Sequence, residues 1–193
     1  MYDDVDQVPT PAGVVPTEGR GSLPFALLHG ESLVAVASWA LGEAGVELLD
    51  FTASRRDVLA RGCALVLHDP LCPGTPVSFL TEAVRASEAG GVVVVGVRPV
   101  TDTVSTTGGG GVLGATVDRS GLLAVASPVV LPAVVLAALP ALPDTDDLAD
   151  LVTSLVGTLG EDRVLLLEAP AAARRVVDES DLRLLEALPG QDG

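Results

Sequence analysis

The side chains with chemical potential are few, and most resolve into ordinary roles on their spacing. His29 and His68 lie far apart with no ligand spacing between them, so a metal site is not expected, and His68 is read as hydrogen-bonding at a strand end. Cys72 is a potential nucleophile, but no base is spaced to activate it, and with Cys63 it reads as a reduced, inert thiol. Ser127 has no His or Asp positioned for it by the sequence and is not read as a hydrolase nucleophile. Gly108 to Gly111 lacks the following helix, Lys and Ser/Thr of a phosphate loop, which leaves a hairpin tip. Asp144, Asp146, Asp147 and Asp150 suit the first turn of a helix, where carboxylates cap the chain and complement its dipole. Arginine remains. Arg119 and Arg175, judged on spacing alone, form surface ion pairs of little energetic weight.

These residues sit in an unusual background. The chain has 193 residues, enough for one buried α/β core, with 48% apolar residues, 3% aromatics and a formal charge of -15. The core must therefore be built from Val, Leu and Ala rather than rings. All 11 basic residues are Arg. Such an acidic surface repels nucleic-acid phosphate and anionic lipid, so neither nucleic acid nor membrane is an expected partner. No basic stretch followed by an apolar run opens the chain, and a reduced, cytoplasmic setting is expected. Ser120 to Pro143 carries no charge over a length that would span a bilayer, yet Pro128, Pro132 and Pro140 interrupt it. A buried strand, a turn and a short buried helix account for it better.

Hydrophobic periodicity supplies the scaffold. Residues 1–13 are polar, acidic and Pro-punctuated, and read as a loose lead; 189–193 read as a tail. Helices are expected over Ser32–Ala44, Arg56–Arg61, Pro76–Ala89, Asp144–Leu159 and Ser180–Leu188. Strands are expected over Val46–Phe51, Ala64–Leu67, Val92–Val97, Leu122–Ala126 and Val164–Leu167. Val100–Ser105 and Val112–Val117 flank the glycine run as a projecting β-arm. Alternating strands and helices predict a three-layer α/β domain over 14–188, a mostly parallel open sheet with helices on both faces.

Several short segments acquire meaning through their order. They are His-Asp-Pro-Leu-Cys-Pro (68–73), Gly-Gly-Val-Val-Val-Val-Gly-Val (90–97), Val-Thr-Asp-Thr-Val (100–104), Thr-Val-Asp-Arg (116–119), Ala-Ser-Pro (126–128) and Thr-Asp-Asp (145–147). In this order and spacing the chain resembles the 2-C-methyl-D-erythritol 4-phosphate cytidylyltransferase family of non-mevalonate isoprenoid biosynthesis, over residues 14 to 188. The resemblance implies a nucleotide-diphospho-sugar transferase-like fold. It also implies a reaction in which a phosphate monoester attacks the α-phosphate of CTP, forming one P–O bond as pyrophosphate leaves. Both reactants are anions, so such catalysis is charge neutralisation and positioning, with Mg²⁺ bound through CTP.

The same resemblance marks departures. The family's Gly-rich loop ending in Pro-Lys becomes Val-Val-Pro-Thr-Glu-Gly-Arg-Gly-Ser-Leu-Pro-Phe (14–25), with Glu18 in the loop and Phe25 in place of Lys. The cytosine-reading loop shrinks to Thr52–Asp57, Cys72 replaces an Arg, and Ser105 replaces a Lys. The sugar-phosphate half is better kept: Asp69, Thr103, Arg119, Ser127, Thr145 and Arg175 are implied substrate contacts. Arg20 and Arg175 are the implied catalytic cations of an active enzyme. Each charge-assisted donor lost is worth about 2.7–4 kcal/mol, or ~10²–10³ in rate. The expectation is a relative degraded at its CTP half that acts as a binding or partner protein, needing no cofactor. It would pair through residues 100–119 as a homodimer, or as a heterodimer with an intact paralogue, and bind a phosphorylated small molecule. The alternatives are a still-active Mg²⁺-dependent cytidylyltransferase and a purely structural subunit.

Overall fold

The computed structural model describes residues 9–50, 53–100, 105–107, 113–116, 122–141 and 145–187. Among the described residues the strands are, in chain order, β1 Ala12–Val14, β2 Leu27–Leu28, β3 Glu31–Ser32, β4 Glu47–Leu48, β5 Leu65–Leu67, β6 Val93–Pro99, β7 Ser105–Thr107, β8 Leu113–Thr116, β9 Leu123–Leu131 and β10 Val164–Glu168. The α-helices are α1 Leu33–Glu43, α2 Arg55–Arg61, α3 Val77–Gly90, α4 Ala133–Ala138, α5 Leu148–Leu159 and α6 Glu179–Glu186. Six strands form the central sheet in the order β10-β6-β9-β5-β1-β4. Its pairings are parallel except those of β9, which runs antiparallel to both β5 and β6. β9, the next strand of the central sheet in sequence after β6, lies beside it and antiparallel to it.

Period-2 alternation divides the sheet residues between two cores. Leu65, Leu67, Val93, Val95, Val129 and Leu131 face α4 and α5, meeting Leu136, Leu148, Leu151 and Leu155. Val66, Val94 and Val130 face the other way, against Leu41 of α1 and Leu80, Ala83 and Val84 of α3. Helices thus cover both faces, giving the expected three layers. Consecutive buried residues such as Val93, Val94 and Val95 are the signature of a strand covered on both sides. Within the uncharged stretch the described residues form β9 and, directly after the extended N-cap Pro132, α4. Among the described residues no helix is long and apolar enough to cross a membrane.

Two boundaries move. The first strand of the sheet begins at Ala12, inside the segment read as a loose lead. Ala12 and Gly13 carry almost no hydropathy, and the strand is held by backbone bonds on both sides: Ala12 N–H to Ala64 O at 2.9 Å, and Glu47 N–H to Pro11 O at 2.8 Å. Helix α5 starts at Leu148 rather than at 144, with Asp147 as its cap, accepting from the amides of Ala149 and Asp150. Thr145 and Asp146 stay outside it. The arm survives as β7 paired antiparallel with β8, Ser105 opposite Thr116 and Thr107 opposite Leu113. Its glycine run, Thr103 and Arg119 lie outside the described residues.

One glycine fixes how closely β6 passes β9 at Ser127. At Gly96 the β6–β9 register shifts, and a Cβ there would sit 2.7 Å from the Ser127 carbonyl oxygen and 2.8 Å from its carbon. Both atoms are backbone and cannot rotate away. Gly96→Ala is expected to cost about 1–3 kcal/mol, read as a lowered urea midpoint.

Candidate functional site

The carboxyl ends of β1 and β5 lie side by side, and the loops leaving them build a buried charge cluster. His68 continues the β5 pairing by donating its amide to Val14 O at 3.0 Å. Asp69 follows immediately, 1% exposed. Its Oδ1 accepts from Arg20 Nε and from the Leu71 amide, each at 3.0 Å, and its Oδ2 accepts from Arg175 Nη1 at 2.6 Å. Two guanidiniums and one amide therefore occupy one carboxylate. A buried carboxylate is tolerated because it is paired and hydrogen-bonded on both oxygens.

Arg20 reaches the cluster on the loop after β1. Its side chain is completely buried, and beyond Asp69 its Nη1 donates to the carbonyls of Glu18, Thr145 and Asp146 at 2.6, 3.0 and 3.2 Å. Gly19, at φ +72°, makes this approach possible, since a Cβ would lie 2.6 Å from Asp146 O. The third nitrogen, Nη2, is buried with no hydrogen-bond partner among the described residues. Arg175 differs. Its side chain is 36% exposed, so it presents the cluster's positive charge outward. It is held in register by the Val176 amide on Leu71 O at 2.6 Å, and by a small core of Leu33, Leu71, Val176 and Leu182.

Ser127 enters from the other side. Fully buried, its Oγ accepts from the Asp69 amide at 3.0 Å and is hydrogen-bonded to His68 Nδ1, with the direction set by the ring's tautomer. Nothing in the spacing of His68 and Ser127 signals that they meet; antiparallel pairing of β5 with β9 brings them together. Neither is accessible, so the pair is an internal brace rather than a nucleophile and its base. Burial lowers the His68 pKa from 6.5 to about 4, keeping the ring neutral. Burial likewise pushes the Cys72 thiol up to about 12, aided by the Asp69 charge. That keeps Cys72 an unreactive thiol.

Of the residues expected to hold substrate or catalyse, the structure brings together Arg20, Asp69, Ser127, Thr145 (through its carbonyl) and Arg175; Thr103 and Arg119 fall outside the described residues. Within the stretch read as a shortened loop, Ser54 and Asp57 cap α2 reciprocally, Ser54 N–H donating to Asp57 Oδ2 at 2.9 Å and Asp57 N–H to Ser54 Oγ at 3.3 Å; Thr52 lies outside the described residues. Beside the cluster, sharing Thr145 with it, a cleft of about 410 Å³ opens at the ends of β1, β4 and β5. Val14, Val34, Leu49, Val58 and Leu67 form its walls, with Ser38, Asp50 and Thr145 as polar groups. Position at the carboxyl ends of parallel strands is where open α/β sheets bind ligands. The Mg²⁺ that a CTP reaction implies does not fit this donor set. Both Asp69 oxygens are taken by guanidiniums, and the described residues contain no cluster of three or more His, Cys, Asp or Glu.

Two outcomes follow from the cluster. Asp69→Asn would leave two guanidiniums facing a neutral amide, at an expected loss of about 3–5 kcal/mol in urea unfolding. For His68, the unfolded ring binds a proton between pH 6.5 and 4 that the folded ring refuses. Its stabilisation is full above pH 6.5 and is lost as pH falls towards 4, on the order of 3 kcal/mol in total. His68→Asn should flatten that limb of a stability–pH curve; an unchanged limb would assign it to other groups.

No family model matches the sequence. Solved structures do match. The 2-C-methyl-D-erythritol 4-phosphate cytidylyltransferase from Thermus thermophilus is 22% identical over 91% of this chain and 96% of its own, with a TM-score of 0.63. The 4-diphosphocytidyl-2C-methyl-D-erythritolsynthase from Anaerococcus prevotii is 10% identical over 92% and 96% of the two chains, at 0.61. Another 4-diphosphocytidyl-2C-methyl-D-erythritol synthase is 18% identical over 91% and 93%, also at 0.63. Across nine-tenths of its length, this chain has the α/β fold of the 2-C-methyl-D-erythritol 4-phosphate cytidylyltransferases.

Proposed function

We propose that the chain is a catalytically silent relative of the CTP-dependent cytidylyltransferases that serves as a binding or partner protein. In this reading it keeps an anion site for a phosphorylated small molecule at Arg175 and no longer turns over CTP. The observation that carries the reading is the inward commitment of Arg20. Nucleotidyl transfer between two anions depends on cations presented to the phosphates. Arg20 is the cation of the loop after β1, and its buried side chain is tied to Asp69 and three carbonyls. Phe25 stands, exposed, where the related sequences place Lys. The neighbouring cleft has no Arg among its described lining residues, and its one ionisable group there is Asp50. Arg175 keeps a partly exposed guanidinium backed by Asp69, suited to a single phosphate. Pairing through residues 100–119, with a second copy or an intact paralogue, completes the proposal.

Calorimetric titration separates the readings. The expected result is no CTP/Mg²⁺ binding and no pyrophosphate release, with 2-C-methyl-D-erythritol 4-phosphate bound and its affinity lowered about tenfold or more by Arg175→Ala. Pyrophosphate release on mixing both substrates would instead establish an active cytidylyltransferase. Silence towards both ligands, with stable association to a full-length paralogue, would establish the structural subunit.

A further inference from the structure

We infer that the outer edge of β10 is where two copies of this chain join, pairing antiparallel into one continuous sheet. The surface is a different stretch of chain from residues 100–119, and the inference does not rest on pairing there. β10 ends the central sheet, and among the described residues no strand pairs with its far side. Exposed edges are normally blunted by shortness or charge. The opposite edge follows that rule: β4 is two residues long, and its Glu47 carries an ion pair to Arg61 at 2.8 Å. β10 does not. It runs five residues, Val-Leu-Leu-Leu-Glu, with Leu165 41% and Leu166 47% exposed on opposite faces of the sheet.

Backbone geometry specifies the register. β10 runs parallel to β6, and the Ala169 N–H reaches Val97 O at 2.8 Å. Alternation then turns the backbone of Leu165 and Leu167 inward to β6, and that of Val164, Leu166 and Glu168 outward. The Val164 N–H is committed to Glu161 O. The outward groups open to a partner are therefore symmetric about Leu166: its own N–H and C=O, the Glu168 N–H and the Val164 C=O. A two-fold axis at Leu166 lets the two Leu166 residues exchange both bonds, and lets each Glu168 N–H reach the Val164 C=O of the other copy. Side chains agree. Leu166 meets its counterpart on the face that Val164 shares with α5, and Leu165 meets Leu167 on the face covered by α3. Charge agrees as well: exposed Glu161 and Asp162 precede β10, while Arg98, held on the Ala169 and Pro170 carbonyls, lies at its other end. Antiparallel pairing sets the acidic end of each copy against the Arg98 end of the other. Parallel pairing would set acid against acid.

Sedimentation velocity of the full chain tests this at about 0.15 M salt, where a Debye length of about 8 Å screens the general repulsion between two acidic copies. The expected result is a monomer–dimer equilibrium with a Kd on the order of 10–100 μM, as suits a small edge-to-edge contact. Leu166→Lys puts like charges face to face at the axis and should weaken association about tenfold or more. Glu161→Arg, at an exposed position, should weaken it about threefold. Leu166→Cys reads the register directly. Opposed hydrogen-bonded residues have Cα atoms about 5.5 Å apart, within disulfide reach, so mild oxidation should link two chains at position 166. Leu184→Cys, also exposed but on α6, should not link, and the buried Cys63 and Cys72 stay out of the exchange. A strict monomer at about 1 mM would leave the edge to a foreign strand and overturn the inference. Equal cross-linking at 184 and 166 would mark random collision and overturn it too. So would a dimer that is indifferent to Leu166→Lys and does not link at 166; that result would leave pairing through 100–119 standing.

Discussion

A single buried carboxylate organises the functional end of this molecule. Asp69 sits on the loop leaving β5, and its two oxygens gather Arg20 from the loop after β1, Arg175 from the segment before α6, and the Leu71 amide of its own loop. Arg20 then extends the network to the carbonyls of Thr145 and Asp146, just ahead of the Asp147 cap of α5. Through its backbone amide Asp69 also reaches Ser127 on β9. Chain segments remote in sequence thus depend on one negative charge. Replacing such an ion pair with apolar residues is often tolerated, whereas removing one member leaves a charge stranded in low dielectric. The cluster is better understood as a device for specifying geometry than as a store of stability.

The apolar sheet imposes the complementary constraint. With aromatics at 3% of residues, the core gains its density from Val, Leu and Ala on alternating faces. Small side chains let backbones come close, and the site uses that closeness. Gly96 lets β6 pass against the Ser127 carbonyl, and Gly19 lets the first loop lie on Asp146. The result is a charge cluster whose positions are set by backbone contacts on nearly every side. Ser127 and His68, wholly enclosed between β5 and β9, are locked by those contacts rather than offered to a ligand.

Much of the fold is legible in the sequence because each element carries its own signal. The run Val93 to Val97 announces a strand covered on both faces, and Leu33, Ala37, Ala40 and Leu41 announce the buried stripe of α1. Ala12 and Gly13 escape such a reading because a strand held by its backbone ladder leaves little trace in hydropathy. Within the site, the residue identities are legible but their directions are not. Arg20 reads equally well as a phosphate ligand or as an internal tether, and only the tertiary position of Thr145 and Asp146 decides between them. The pairing of His68 with Ser127 needs the β5–β9 register, a contact across 59 positions that no local pattern encodes.

The distribution of arginine gives the chain its character. With no Lys in the sequence, every side-chain cation that is permanently charged is a guanidinium, a planar fork suited to holding several acceptors at once. Arg98 uses its fork on the carbonyls of Ala169 and Pro170, and Arg163 uses one on Gly91. Arg61 pairs with Glu47, Arg174 with Asp181 and Arg183 with Glu179. Arg20 follows the same habit on the loop after β1. Carboxylates take Arg61, Arg174 and Arg183, while backbone carbonyls take Arg98, Arg163 and most of the Arg20 fork. Arg175 escapes in part because Asp69 is already shared with Arg20, which leaves positive charge in surplus at that one carboxylate. Two guanidiniums on one acid give a strongly acidic chain a local surplus of positive charge, and the partly exposed side chain of Arg175 puts that surplus at the outer face of the Asp69 cluster.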